Sequence, residues 1–161
     1  MPTLDDVYRK FGEVSEAAQL LETEIGTLLL AAGAINADLL EHPDPVRGSE
    51  IYNRINHKTL GQLIKGLKNS SYSVFELEEL LSGSLAARNS LAHSFYRKHN
   101  FRRNSEKGRS IMMDDLESIH KVVLDAYKAV MLLSGIDLDK IVIVEKFDDD
   151  DAQSLDYLPI P

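Results

Sequence analysis

A chain of 161 residues with 43% apolar and 27% charged side chains has the size and make-up of one globular domain with a real core. The lack of cysteine excludes disulfides and thiol chemistry and makes a structural zinc site a poor fit. A net charge of −8 argues against a surface coated throughout for nucleic acid.

The opening Met-Pro-Thr-Leu-Asp-Asp has no basic leader, so no signal peptide is expected. Thr3 caps a helix whose first turn carries Asp5 and Asp6. Leu4, Val7, Phe11, Val14, Ala18, Leu21, Ile25, Leu28 and Ala32 follow at alternating spacing, a heptad-like stripe that predicts one long helix. It is suited to packing in a bundle or against a second copy of the chain. Gly33 is expected to loosen its end. The longest apolar run, Leu28 to Ile35, is far short of the ~20 residues of a membrane span. A cytoplasmic protein with no membrane partner is the expectation.

Glu41 to Ser49, with two prolines and a glycine, reads as a connector that Ile51 and Tyr52 anchor. Leu60, Leu63, Ile64 and Leu67 then mark a short amphipathic helix, capped by Thr59, with Lys65 and Lys68 outward. A central helix is predicted to start at Ser73, with Glu76 completing a capping box, and to end near Asn100. Leu77, Leu81, Leu85, Ala92 and Phe95 form its expected core row, with Arg88 in the middle.

A basic loop from Phe101 to Ser110 leads to the last helix, marked by Met113, Leu116, Ile119, Val123, Ala126, Val130 and Leu133 and stopped at Gly135. His120, at the edge of that stripe, reads as a packing histidine. Lys140 to Glu145 looks like a short strand, followed by the acidic run Asp148 to Asp151. These elements describe an all-α domain over residues 1–135 and an acidic, extended tail over 136–161.

Arg88-Asn89-Ser90-Leu91-Ala92-His93 interrupts the apolar pattern of the central helix. At about 100° per residue, Arg88, Ala92, Leu85, Tyr96, Asn89 and His93 share an arc of roughly 140°. Between Arg88 and Arg109 there are seven basic residues against one acid, so this segment carries +6 and the remainder −14. A local field of that kind can hold phosphates on an acidic protein.

No His-Glu-x-x-His, dinucleotide-type glycine pattern or Gly-Lys-Ser/Thr loop is present, and His93 and His99 are poorly spaced as a metal pair. No metal and no cofactor are expected. Histidine titrates near neutrality and suits proton transfer, while arginine offers a planar fork to a phosphate oxygen. Together they suffice for cleavage of RNA by its own 2′-hydroxyl. The alternative is structural: Arg88 pairs with a carboxylate such as Glu22 or Asp125, and Asn89 and His93 complete a satisfied network.

The same hexapeptide resembles the Arg-x(4–6)-His motif of the HEPN superfamily, and Thr59-Leu60-Gly61-Gln62-Leu63-Ile64 ahead of it is similar to a group of bacterial HEPN-like proteins. The resemblance covers about Ser73 to Gly135. It implies an up-and-down bundle of about four or five helices that forms a homodimer. Two motif copies would then face each other in one composite, metal-independent endoribonuclease site. A toxin or defence role, with RNA as substrate and an antitoxin protein as a possible partner, is the matching expectation.

Under this reading His93 is the general acid or base, Arg88 the phosphate clamp and Asn89 their support. Tyr96, Arg97, Lys98, Arg102 and Arg103 would bind substrate. In HEPN toxins regulated by adenylylation, a tyrosine often stands two residues after the histidine; here that residue is Phe95, and Tyr96 follows it. Some HEPN domains are catalytically silent, so the alternative function is a non-catalytic helical dimer that acts as an interaction or nucleotide-sensing module.

Overall fold

The structure, a computed structural model, describes residues 1–70, 72 and 75–140. The expected start of the central helix at Ser73, its Glu76 capping partner, the strand from Lys140 to Glu145 and the acidic run Asp148 to Asp151 fall on or extend into residues outside that set. The fold is all-α, with six α-helices and no strand among the described residues.

Helix α1 runs from Leu4 to Asn36. Its start is a reciprocal capping box: the Thr3 hydroxyl accepts from the Asp6 amide at 3.1 Å, and the Asp6 carboxylate accepts from the Thr3 amide at 2.8 Å. Val7, Val14, Ala17, Ala18, Leu21, Ile25, Leu28 and Ala32 are buried, which is the expected stripe with Ala17 added and with Leu4 and Phe11 only half-buried. By length and composition alone α1 could cross a membrane, and its buried stripe is packed within the bundle.

Helix α2, Pro45–Asn56, occupies much of what the sequence suggested was a connector. The cause is legible in hindsight. Asp44 accepts from the amides of Val46 and Arg47, and Pro45 takes the first helical position, where its missing N–H leaves no bond unmade. Ile51 and Ile55 are its buried residues. Gly33 does not end α1; a Cβ there would stand 2.9 Å from Ile51 Cγ2, so the glycine lets α2 approach closely. Helix α3, Leu60–Lys68, buries Leu60, Leu63, Ile64 and Leu67 against α1.

Helix α4, Glu78–His93, follows a short 3-10 turn at Phe75–Leu77. It stops before the predicted end, and a second piece, α5 at Phe95–Lys98, follows a break in helical geometry at Ser94. A 3-10 turn at Arg102–Asn104 precedes α6, Glu106–Leu133. Ser105 caps α6, so Lys107 to Ser110 belong to its first turns rather than to the basic loop. Long α6 lies along α1 and is also the main partner of α4.

Met112, Leu116, Ile119, Val123, Ala126 and Val130 of α6 meet the α1 stripe in the core. Burial of each large aliphatic side chain there stabilises the fold by about 1.5–3 kcal/mol. The core lies between α1, α6 and α4, with α2 and α3 closing the other side of α1.

Candidate functional site

The direction of the chain at the motif is set by two serines. Ser94 leaves helical geometry at φ −133°, and its hydroxyl donates to the Ser90 carbonyl at 3.0 Å. Such back-bonding competes with the helical ladder and favours a bend. The bend turns Phe95 inward, where it is 1% exposed and packs on Phe11 at 5.6 Å and on His99 at 4.6 Å between ring centres. The core row differs from the expected one: Leu81, Leu91 and Phe95 are buried, whereas Ala92 is exposed.

Arg88 is half-buried, and its Nη2 stands 3.7 Å from Oε2 of Glu22 on α1. That separation is an ion pair without a hydrogen bond. Its Nη1 donates weakly to Asn89 Oδ1 at 3.4 Å. Asn89 and His93 are exposed on the same helix, and His93 has no hydrogen-bond partner among the described residues. The motif is therefore divided: its arginine leans on the bundle, and its amide and imidazole face solvent.

Beyond the bend, the predicted substrate residues separate into two groups. Lys98 Nζ donates to both oxygens of Asp115, at 2.8 and 3.0 Å. Arg102 Nη1 donates to His99 Nδ1 at 3.1 Å, and His99 Nε2 donates to Asp115 Oδ2 at 2.8 Å. Since a guanidinium can only donate, Nδ1 is the accepting nitrogen and Nε2 carries the proton given to Asp115. Lys98 and Arg102 thus fasten α5 and the following turn to α6. Arg97 and Arg103 are exposed, with no acidic partner among the described residues. Tyr96 lies 5.2 Å from Phe11 between ring centres, and burial, followed by the influence of nearby Tyr8, raises its phenol above the ordinary value.

Burial tends to raise the Asp115 carboxyl, but hydrogen bonds from Lys98 and His99 outweigh it and hold the group below the usual range. Neither His99 nor Asp115 was singled out from the sequence. Their signal was spacing: His99 stands four residues after buried Phe95, and Asp115 falls between Met112 and Leu116 on the buried side of α6. His120, read as a packing histidine, is half-buried and accepts at Nδ1 from Lys10 Nζ across 3.0 Å.

No cluster of three or more His, Asp or Glu side chains is placed to hold a metal ion among the described residues. A groove of about 410 Å³ opens between α1 and the α2–α3 corner, and Glu22, the partner of Arg88, lines it. Comparison of the chain with protein-family models, curated proteins and solved structures gives no match in any of the three.

Proposed function

We propose that this chain is a metal-independent endoribonuclease of HEPN type that acts as a homodimer. The observation that carries the reading is the exposed pair Asn89 and His93 beside Arg88, whose only carboxylate contact among the described residues is long and free of hydrogen bonds. A satisfied structural network would bury and pair the imidazole; here it is open to a substrate. His93 removes the 2′-hydroxyl proton or protonates the leaving 5′-oxygen, and Arg88 stabilises the charge gathering on phosphorus-bound oxygens.

Five residues along a helix separate Arg88 from His93 by about 7.5 Å of rise and roughly 140° of turn. One copy therefore spreads the two groups apart, and a second copy supplies the complementary member. Arg97 and Arg103, the exposed cations past the bend, steer RNA toward this face.

The test is cleavage of mixed RNA in EDTA by wild type, His93→Ala and Arg88→Ala, with sedimentation for the oligomer. Loss in both variants supports the reading. Equal cleavage by all three, or none by wild type, overturns it.

A second reading rests on the Arg88–Glu22 pair itself. If that pair serves only to join α4 to α1, the chain is a non-catalytic helical dimer acting as an interaction or nucleotide-sensing module, and Arg88 variants alter stability without any RNA phenotype.

A further inference from the structure

We infer that the groove between α1 and the α2–α3 corner is a guanine-selective nucleotide subsite, and that Glu22 couples base recognition to the release of Arg88. The inference takes its substrate class from the endoribonuclease reading above and adds where one nucleotide sits. At about 410 Å³ the groove falls in the range of small-ligand pockets.

Its lining is mixed rather than apolar. The α1 wall presents Gln19, Glu22 and Thr23; the opposite wall presents Tyr52 and Asn56, with Lys58 at the corner. Between them Gly26 leaves the floor open. A Cβ at Gly26 would make only ordinary contact, 3.7 Å from Ile55 Cγ2, so the backbone packing does not require a glycine there.

An exposed tyrosine face, side-chain amides and hydroxyls, and one carboxylate are the groups that read an unstacked base on its Watson–Crick edge. The carboxylate selects among bases. Guanine alone places two adjacent donors, N1–H and the N2 amino group, where both oxygens of one carboxylate accept them; adenine and cytosine each offer a single amino group there, and uracil a single imide N–H. Glu22 accepts no hydrogen bond from the described residues, so both of its oxygens are available.

The coupling follows from the shared residue. The 3.7 Å contact between Glu22 and Arg88 is Coulombic, with no shared proton to break. When Glu22 turns to the base, the guanidinium loses its counter-charge and takes the 3′-phosphate of the same nucleotide. Lys58 carries no carboxylate partner among the described residues and balances the phosphate on the other side of the groove.

Calorimetric titration of the intact protein with guanosine, adenosine, cytidine and uridine 3′-monophosphates tests this without any cleavage step. The expected result is binding of the guanosine nucleotide at least tenfold tighter than the other three. Glu22→Gln should abolish that preference, and Tyr52→Ala should weaken all four nucleotides, with melting curves confirming that both variants fold. No binding, equal binding of all four, or an unchanged preference in Glu22→Gln overturns the subsite. The two readings fail separately: guanosine-selective binding without RNA cleavage keeps the subsite and sinks the nuclease, whereas cleavage without base preference does the reverse.

Discussion

His99 donates from Nε2 to Asp115 Oδ2 across 2.8 Å, and the imidazole is almost fully buried while the carboxylate keeps an edge in solvent. This contact closes the short α5 piece onto α6. With Lys98 on the same carboxylate and Arg102 on the other imidazole nitrogen, three residues near the bend are tied to one aspartate.

Asp115→Ala should therefore destabilise the protein by about 1–3 kcal/mol, chiefly by leaving the buried His99 N–H unsatisfied. The pH dependence has a definite sign. A carboxyl held below its ordinary value in the folded state stabilises above the unfolded pKa of ~3.9, and that contribution disappears as pH falls toward the folded value. Melts of wild type and Asp115→Asn between pH 7 and pH 3 should thus converge at the acid end. Parallel curves over the whole range would contradict the assignment.

Gly108 and Gly12 should respond to alanine with opposite signs. A Cβ at Gly108 would stand 2.0 Å from the Arg102 carbonyl oxygen, so the 3-10 turn must shift. Gly108→Ala should cost about 2 kcal/mol or more, in the range of overpacking strain. Gly12 lies inside α1 with nothing within 4 Å of such a Cβ, and Gly12→Ala should add about 0.5–1 kcal/mol from helix propensity. Urea denaturation of the two variants checks both.

His120 gives a second pH signature. Burial, and after it the ammonium of Lys10, lower its pKa in the folded protein, while Glu13 opposes them. A depressed histidine favours folding above the unfolded value of ~6.5, and stability falls as pH drops below it. Lys10→Met should raise the His120 pKa and flatten the loss between pH 7 and pH 5. An NMR titration of the imidazole resonances measures the first effect directly, and an unmoved midpoint would show that Lys10 has no such influence.

Arg88→Lys separates structural from chemical roles. The Glu22 contact is partly solvated and long, so replacing it should change stability by less than about 1 kcal/mol. Lysine loses the planar fork, however, so RNA cleavage should fall strongly at nearly unchanged melting temperature. A stability loss with no change in cleavage would mark Arg88 as a structural residue rather than a phosphate clamp.

The long elements were legible because their burial is periodic: the α1 stripe and most of the α6 stripe fall where spacing put them. What escaped were features decided by single polar residues. Asp44-Pro45 was read as punctuation when it is a helix start. Spacing alone places Ser94 mid-helix, yet its hydroxyl bonds Ser90 where α4 ends, and within α4 Leu91 rather than Ala92 takes the buried position. At the site, sequence named Arg88 and its partner Glu22 as one possibility. It did not foresee that Lys98 is engaged by Asp115, because that contact joins α5 to α6, nor that Arg102 donates to His99, three residues before it in the turn. Hydrophobic period reports which face is buried, but not which polar groups find each other across the fold.

The pairing of α1 with α6 also sets an order of events at synthesis. The longest helix comes first and the second longest begins at Glu106, so the partners that complete the core are separated by most of the chain. A ribosome-bound fragment that stops before α6 can dock α2 and α3 on one side of α1, but leaves the other side of its stripe without cover. Such fragments are natural clients for chaperones that hold exposed apolar helices. If the nuclease reading holds, they also lack the support that fixes the motif helix, so no active face forms until α6 has emerged.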